Sequence, residues 1–180
     1  RRKIELPSNT IISKQFDLIN KSMDEINYIN YEISSFCMKG FKSKHNSNYW
    51  CNENYIGYGP GAHSYDKKYR YWNISDNKEY INKIKNKEPF FKSEKLTNTQ
   101  KINEFIITRI RTMEGINNLE LKNLNGICLF KEKDKEIKYL NDESLINVKE
   151  NRIILTSRGK KIVDNIIEKI LAVSKNRTDT

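Results

Sequence analysis

The sequence has little cysteine, histidine, proline or tryptophan, and it has no long apolar run. Its 180 residues include three cysteines, two histidines, three prolines and two tryptophans. The cysteines are Cys37, Cys51 and Cys128, an odd and unclustered set that argues against a disulfide framework and predicts a cytoplasmic protein. Their spacing does not provide an iron–sulfur or zinc site on one loop. No segment approaches the roughly 18 consecutive apolar residues that a membrane-spanning helix needs.

The chain also lacks an initiating methionine and a secretory signal, since it opens on Arg1 and Arg2. We therefore expect a fragment of a longer protein. The net charge of +10 comes mostly from lysines dispersed singly among asparagine and isoleucine. Because AT-rich codons favour these three residues, we interpret the charge as a solvated surface and expect no nucleic-acid partner.

The first part of the chain has the patterns of an α/β fold. Apolar residues at spacings of three and four predict a helix over residues 8–26. The segment "INYEISSF" (residues 29–36) alternates apolar and polar residues, which predicts one strand with unlike faces. A helix followed by such a strand suits an α/β barrel. We expect residues 1–72 to be the terminal piece of a partial (β/α) barrel.

The second part has the patterns of a small, mainly helical domain. Residues 73–95 predict a helix and a linker. A helix capped by Thr97 or Thr99 and ended near Gly115 follows, and then two short helices. The segment "INVKENRIILT" predicts a hairpin, and a strong apolar stripe from Thr156 onward predicts a closing helix. Residues 96–173 therefore predict a winged-helix-like domain, and 174–180 a disordered tail.

Rare residues are concentrated in "HNSNYWCNENYIGYGPGAHSY" (residues 45–65). This stretch holds both histidines and three of the seven glycines. It follows the predicted strand, where barrel enzymes build their active sites. The glycines do not have the GxGxxG spacing of a dinucleotide loop, because the third comes one residue early. They permit either a tight turn or close approach of the backbone to a ligand.

The two histidines, His45 and His63, leave two interpretations open. A neutral imidazole can bind a metal or haem iron, and Tyr49 and Trp50 beside His45 could cover a flat macrocycle. Each histidine could equally be a structural, hydrogen-bonded residue. Neither has a local serine, aspartate or cysteine partner at a spacing that indicates nucleophilic catalysis.

Several of these segments resemble one known family. "YEISSFC" (31–37), "HNSNYW" (45–50) and "YIGYGPGAHSY" (55–65) resemble the YEISNFA, HNxxYW and GxGxGAHS segments of the HemW-like radical-SAM proteins. These are haem chaperones related to oxygen-independent coproporphyrinogen III oxidase. "TRIRTMEGI" (108–116) and "RIILTSRGKKIVDNII" (152–167) resemble later segments of the same family, so the likeness covers nearly the whole chain.

The resemblance implies a fold, cofactors and site residues. It implies a partial radical-SAM barrel with a [4Fe–4S] cluster on a CxxxCxxC loop, S-adenosylmethionine, and a smaller C-terminal domain. This sequence has no CxxxCxxC, so we expect the cluster ligands to lie in a missing N-terminal half of the same protein. The HNxxYW histidine is associated with haem, which makes His45 the expected iron ligand. The expected cofactor-binding residues are His45, Tyr49, Trp50, Gly57, Gly59, Gly61 and His63.

The functional expectation is a haem chaperone that delivers haem to respiratory proteins, some of them possible membrane-associated acceptors. The first alternative is a coproporphyrinogen oxidase-like enzyme of porphyrin biosynthesis. The second alternative is a basic winged-helix module that binds nucleic acid, which would leave the histidine-rich stretch unexplained.

Overall fold

The computed structural model describes residues 6–171, in which short antiparallel strands alternate with helices. The predicted tail at 174–180, and the last two residues of the predicted second domain, lie outside the described residues. In chain order the elements are α1 (Asn9–Glu25), β1 (Ile29–Glu32), β2 (Ser35–Cys37), α2 (Lys44–Trp50), β3 (His63–Tyr65), β4 (Tyr69–Asn73), α3 (Asn77–Lys85), β5 (Phe91–Lys95), α4 (Asn98–Arg109), β6 (Ile116–Asn117), α5 (Asn118–Asn125), α6 (Leu129–Glu132), α7 (Asp134–Asp142), β7 (Ile146–Lys149), β8 (Arg152–Leu155), α8 (Ser157–Lys160) and α9 (Val163–Ile170).

Helix α1 confirms the helix predicted over residues 8–26. Its N-cap is Ser8, whose hydroxyl accepts a hydrogen bond from the backbone N–H of Ile11. The helix has an apolar stripe but no buried residue. Leu18 and Ile19 keep 64% and 49% of their surface exposed. The apolar face of α1 is therefore largely uncovered in this part of the protein.

The prediction of a single strand over residues 29–36 is wrong, because the chain reverses direction within this segment. β1 and β2 form an antiparallel hairpin, and Ile33 and Ser34 make the turn. The Asn30 side-chain amide donates to the backbone oxygens of Glu32 and Ser35, at 2.6 and 3.2 Å. An asparagine that hydrogen-bonds the backbone a few residues along favours a turn over a continued strand.

Every strand pairing within residues 6–171 is antiparallel, so these residues do not show the parallel pairing of a (β/α) barrel.

A second sheet has the order β3-β4-β5. The helix predicted within residues 73–95 is confirmed as α3. The segment predicted as a linker is corrected, because residues 91–95 form β5 and pair with β4 along its whole length. Backbone hydrogen bonds to a neighbouring strand hold this polar segment extended, although it buries little of its own surface.

The hydrophobic core lies in residues 96–171. Of the two predicted caps of α4, Thr97 and Thr99, the structure shows Thr97, which forms a capping box with Gln100. The predicted hairpin is confirmed as β7 and β8. Strand β6 pairs with β8 of this hairpin, which gives a three-stranded sheet of order β6-β8-β7. Side chains with at most 1% of their surface exposed fill the space between this sheet and the helices, and they include Ile106, Ile110, Ile116, Leu121, Leu129, Leu140, Ile146, Ile153, Ile166 and Ile170.

Two glycines of this core permit close packing, and for Gly115 this differs from its predicted role as a helix stop. Helix α4 ends at Arg109, so Gly115 does not terminate it. Gly115 instead has φ +66°, and a Cβ there would lie 2.2 Å from the carbonyl oxygen of Ile153 on β8. The closing helix is divided into α8 and α9. A Cβ on Gly159 of α8 would lie 1.9 Å from the carbonyl oxygen of Leu145, so glycine lets the short helix pack on the hairpin.

The β1–β2 hairpin contacts this core directly. The N–H of Met113 donates to the carbonyl of Tyr31 at 3.0 Å, and Glu32 forms a β-bridge with Thr112. The ammonium of Lys160 on α8 also donates to the Asn30 side chain.

Within residues 6–171, no helix combines the length and apolar character that crossing a membrane requires.

Candidate functional site

His45 and Tyr49 of the HNxxYW segment lie on one face of a short helix. Ser43 caps α2 by accepting from the N–H of Asn46. His45 and Tyr49 are four residues apart, so their side chains are neighbours on the helix surface. Their ring centroids are 5.0 Å apart in an edge-to-face arrangement, and both residues are exposed. The imidazole of His45 is thus accessible to a ligand.

Two further tyrosines extend this pair into a row of four rings, here called the aromatic row (His45, Tyr49, Tyr55 and Tyr65). The ring centroids of Tyr49 and Tyr55 are 4.6 Å apart, and those of Tyr55 and Tyr65 are 6.1 Å apart. Tyr55 and Tyr65 also exchange two backbone hydrogen bonds of 3.0 Å, which fix the ends of the loop between them. The row is therefore held by both backbone pairing and ring contacts.

The aromatic row borders a cavity of about 380 Å³, here called the first cavity. Trp50 lines it, and the buried indole N–H of Trp50 has no hydrogen-bond partner among residues 6–171. Arg70 lies in the same cavity and pairs with both Glu94 and Glu104. The residues that line the first cavity are Asn46, Tyr49, Trp50, Asn52, Tyr55, Tyr65, Arg70, Glu104 and Thr108. A pocket with flat rings and an unused N–H donor suits a planar ligand with acceptor groups.

The surroundings of Tyr55 and Tyr65 in the first cavity keep these two phenols neutral. Burial raises the pKa of Tyr55, and the neighbouring Tyr49 adds to the rise. Burial also raises the pKa of Tyr65, with Glu104 adding to it. Both phenols therefore keep their protons at neutral pH and act as hydrogen-bond donors, whereas a tyrosinate ligand would need the opposite shift.

The glycine turn between Tyr55 and Tyr65 packs against the chain itself. A Cβ on Gly57 would lie 2.2 Å from the carbonyl oxygen of His63, so the close approach at Gly57 is to backbone. The buried amide of Asn73 donates to the carbonyl of Gly59 at 2.9 Å. Gly59 and Gly61 have φ of +101° and +68°, which glycine adopts without strain. Of the two roles left open for the glycines, the geometry supports the tight turn.

His63 lies away from the aromatic row. It is an exposed residue of β3 and lines a different cavity of about 540 Å³, here called the second cavity, together with Gly61 and Trp72. The structure therefore brings together three of the seven predicted site residues, His45, Tyr49 and Trp50, and places Gly61 and His63 at a neighbouring pocket.

The residues present do not fit an iron–sulfur cluster. Cys37 is buried in β2, Cys51 is exposed after α2, and Cys128 precedes α6. In the part of the chain that the structure describes, no group of three or more histidine, cysteine, aspartate or glutamate side chains could hold a metal ion. A cluster needs thiolates that converge on one point, and these three cysteines do not.

Of the nine residues that line the first cavity, only Tyr49 and Trp50 were predicted as site residues, and those not predicted include Tyr55, Tyr65, Arg70 and Glu104. For the two tyrosines a signal was present, because they bracket the glycine turn at both ends. Arg70 and Glu104 are 34 residues apart and meet only through the fold.

Comparison with known proteins finds relatives of similar sequence. No family model matches the sequence. The chain is 30% identical over 171 residues to the haem chaperone HemW of Lactococcus lactis subsp. lactis (strain IL1403), covering 95% of this chain and 45% of that protein. It is 29% identical over 165 residues to HemW of Bacillus subtilis (strain 168), covering 91% of this chain and 44% of that protein. The chain is homologous to the HemW haem chaperones.

A further relative is similar in sequence, and a solved structure is similar in fold. The mitochondrial radical S-adenosyl methionine domain-containing protein 1 of Dictyostelium discoideum is 30% identical over 194 residues, covering 94% of this chain and 44% of that protein. Coproporphyrinogen III oxidase (HemN) of Escherichia coli, a radical-SAM enzyme, superposes with a TM-score of 0.68 at 14% identity, over 95% of this chain and 43% of that one. The fold thus matches part of the HemN fold, and the chain spans less than half the length of these HemW relatives.

Proposed function

We propose that this chain provides the haem-binding surface of a HemW-like haem chaperone. The observation that carries the proposal is the aromatic row, which ends on an exposed imidazole and borders the first cavity. Haem is the cargo in this proposal. It supplies an iron that accepts an imidazole ligand and a flat apolar macrocycle that packs against aromatic rings.

His45, which lies beside the first cavity, and the residues that line the cavity have separate tasks in this proposal. His45 binds the iron, and Tyr49 and Trp50 pack beside the macrocycle. The unpartnered N–H of Trp50 donates to an acceptor group of the ligand, which removes the cost of burying it alone. Arg70 already pairs with two glutamates, so the local charge is negative and we expect the propionates to point away from it.

The remaining assignments extend to the whole protein. We propose that this chain completes a partial radical-SAM barrel, with the [4Fe–4S] cluster and S-adenosylmethionine held by other residues of that protein. In the same proposal residues 1–72 belong to the barrel and residues 96–173 form a winged-helix-like domain. The protein acts in the cytoplasm and delivers haem to respiratory proteins.

A second candidate is the oxidation of coproporphyrinogen, which the likeness to the HemN fold favours. Both candidates bind a tetrapyrrole, and they differ in whether the protein carries out chemistry on it. The nucleic-acid-binding alternative gives the aromatic row no role.

The test is the variant His45→Ala in the full-length protein, with Lys44→Ala as the matched control on the neighbouring exposed position of α2. Loss of the iron ligand should shift the Soret maximum and weaken haem binding by about tenfold or more, without changing thermal stability. If His45 instead braces the loop, the variant should unfold at a lower temperature. A haem spectrum unaltered in His45→Ala, and equal to that of the control, would remove His45 from the ligand role.

A further inference from the structure

A cavity of about 370 Å³, here called the third cavity, adjoins the first cavity. Asn52 and Tyr65 line both cavities, so the two spaces meet at these side chains. The aromatic row begins at His45 and ends at Tyr65. The third cavity therefore lies at the end of the aromatic row that is away from the His45 imidazole.

Helix α4 forms a wall that the two cavities share. Glu104 and Thr108 line the first cavity. Lys101, Phe105 and Arg109 line the third cavity. Each set repeats every four residues, so its members lie one above another along the helix. Because Lys101 comes three residues before Glu104, the two stripes are neighbours on the helix surface. A ligand in the first cavity that extends around α4 therefore reaches the cations of the third.

The first and third cavities differ in charge. In the first cavity, the guanidinium of Arg70 already pairs with Glu94 and Glu104, so it leaves no excess positive charge. Among the described residues, the charged groups that line the third cavity are three cations and two carboxylates: Lys67, Lys101, Arg109, Glu53 and Glu120. The lining of the third cavity is therefore net positive at neutral pH, and it attracts carboxylates that the first cavity does not.

Two of the three cations of the third cavity already have carboxylate partners. Lys67 pairs with Glu53 at 3.1 Å, and Arg109 pairs with Glu120 at 2.7 Å. Lys101 is half-buried, and its ammonium forms no ion pair with a carboxylate of residues 6–171. A partly desolvated ammonium beside a cavity forms a strong, charge-assisted hydrogen bond with an anionic ligand. Lys101 is thus the cation that is free to bind a carboxylate.

We propose that the third cavity binds the propionate carboxylates of the haem cargo and that Lys101 pairs with them. The identity of the cargo rests on the proposed function, whereas the preference for carboxylates rests on the charges of the third cavity. Haem carries both propionates on one edge of an otherwise apolar macrocycle. With the apolar part beside Tyr49 and Trp50, the propionate edge points past Tyr65 toward Lys101. Lys101 therefore sets the orientation in which the macrocycle binds.

The experiment compares two ligands in the full-length protein: haemin (ferric protoporphyrin IX) and its dimethyl ester, in which both propionates are neutral. Each ligand is titrated at the Soret band. Loss of one ion pair in Lys101→Ala should weaken haemin binding by about two- to fivefold. Charge reversal in Lys101→Glu should weaken it by about tenfold or more. Neither variant should change the affinity for the dimethyl ester, because the ester has no carboxylate to pair.

The matched control is Lys122→Glu on α5. Glu120 and Leu124 of that helix line the third cavity, but Lys122 is exposed and does not line it. The control changes the net charge by the same amount as Lys101→Glu. In about 0.15 M salt, exposed charges are screened beyond about 8 Å. Lys122→Glu should therefore bind both ligands as the unsubstituted protein does.

The outcomes separate this inference from the proposed function. The iron is the same in both ligands, so His45→Ala should weaken haemin and the dimethyl ester alike. If the Lys101 variants lose affinity for haemin alone while His45→Ala changes nothing, the third cavity stands and the role of His45 fails. If His45→Ala weakens binding and neither Lys101 variant does, this inference alone is overturned.

Two further results would overturn the role of Lys101. One is an equal loss of affinity for both ligands in Lys101→Glu, which would show that the substitution acts on the fold and not on the propionates. The other is an equal loss of haemin affinity in the Lys122→Glu control, which would show that only the net charge matters. A full-length protein that binds neither ligand would refute both this inference and the proposed function.

Discussion

Replacing Gly57 by alanine should destabilise the sheet that supports both cavities. The added methyl would lie 2.2 Å from the carbonyl oxygen of His63 and 3.0 Å from the Cβ of Ala62. Ordinary van der Waals contact begins at 3.4 Å, so the loop and β3 must separate by about 1.2 Å. Gly57 also donates its N–H to the hydroxyl of Ser64 at 3.0 Å. The separation weakens this hydrogen bond as well.

The expected loss in the free energy of unfolding follows from the steric overlap of the added methyl and from the weakened hydrogen bonds. Overpacking costs about 1–3 kcal/mol. Disrupting the bond to Ser64 and the bond from Asn73 to Gly59 adds about 1 kcal/mol each. The expected loss in the free energy of unfolding is therefore about 3–5 kcal/mol. Gly59→Ala is the matched control, because its φ of +101° costs about 1–2 kcal/mol but its added Cβ meets nothing within 4 Å.

The measurement is urea unfolding followed by tryptophan fluorescence in a Trp50→Phe background. This chain has two tryptophans, so in that background its remaining indole is Trp72, in the middle strand of the affected sheet. Gly57→Ala should unfold at clearly lower urea than Gly59→Ala. Equal midpoints for the two variants would refute the view that Gly57 is needed for close packing against His63.

Three further outcomes are expected. Asp66 accepts hydrogen bonds from the N–H groups of Tyr69 and Lys68, and these bonds hold the pKa of its carboxyl below the usual range. The carboxylate therefore contributes fully to the stability of the β3–β4 hairpin above about pH 4. This contribution is lost as the pH falls through the lowered pKa. Circular dichroism between pH 2 and 5 should show this loss, and Asp66→Asn should remove its pH dependence. Reconstitution of this chain alone with iron and sulfide should give no stoichiometric 4Fe–4S absorbance, and a stable cluster would contradict the cysteine geometry. Limited proteolysis should cut residues 6–72 before residues 96–171, since the fully buried side chains lie in the second range. The reverse order of cleavage would show that the division of the chain into these two parts is wrong.

Helices and hairpins with strong local signals could be predicted from the sequence. Helix α4 has both a capping box and apolar residues at helical spacing, so local and tertiary preferences agree there. The β1–β2 hairpin was missed because the alternation of "INYEISSF" continues through its turn, which contains no glycine or proline. Strand β5 was missed because its polar residues "FKSEK" are extended by pairing with β4, an interaction between segments about twenty residues apart.

The candidate site was predictable in its parts but not in its assembly. The rare residues His45, Tyr49 and Trp50 could be identified from composition and motif. Which of them share a pocket depends on α2, whose cap at Ser43 is a weak local signal. The separation of His45 from His63 depends on the register of β3 against β4. That register is set by contacts that do not follow from spacing along the chain.

Strand β5 has a consequence for the behaviour of the protein at high concentration. It is an edge of the β3-β4-β5 sheet within the described residues, so one side of its backbone is open to another extended chain. Such edges can add strands from neighbouring molecules and begin aggregation. Lys92, Glu94 and Lys95 place charge along this edge, and a second copy in register would bring like charges together. The charged residues of β5, which led to the prediction of a linker, thus protect this edge against the addition of strands from other molecules.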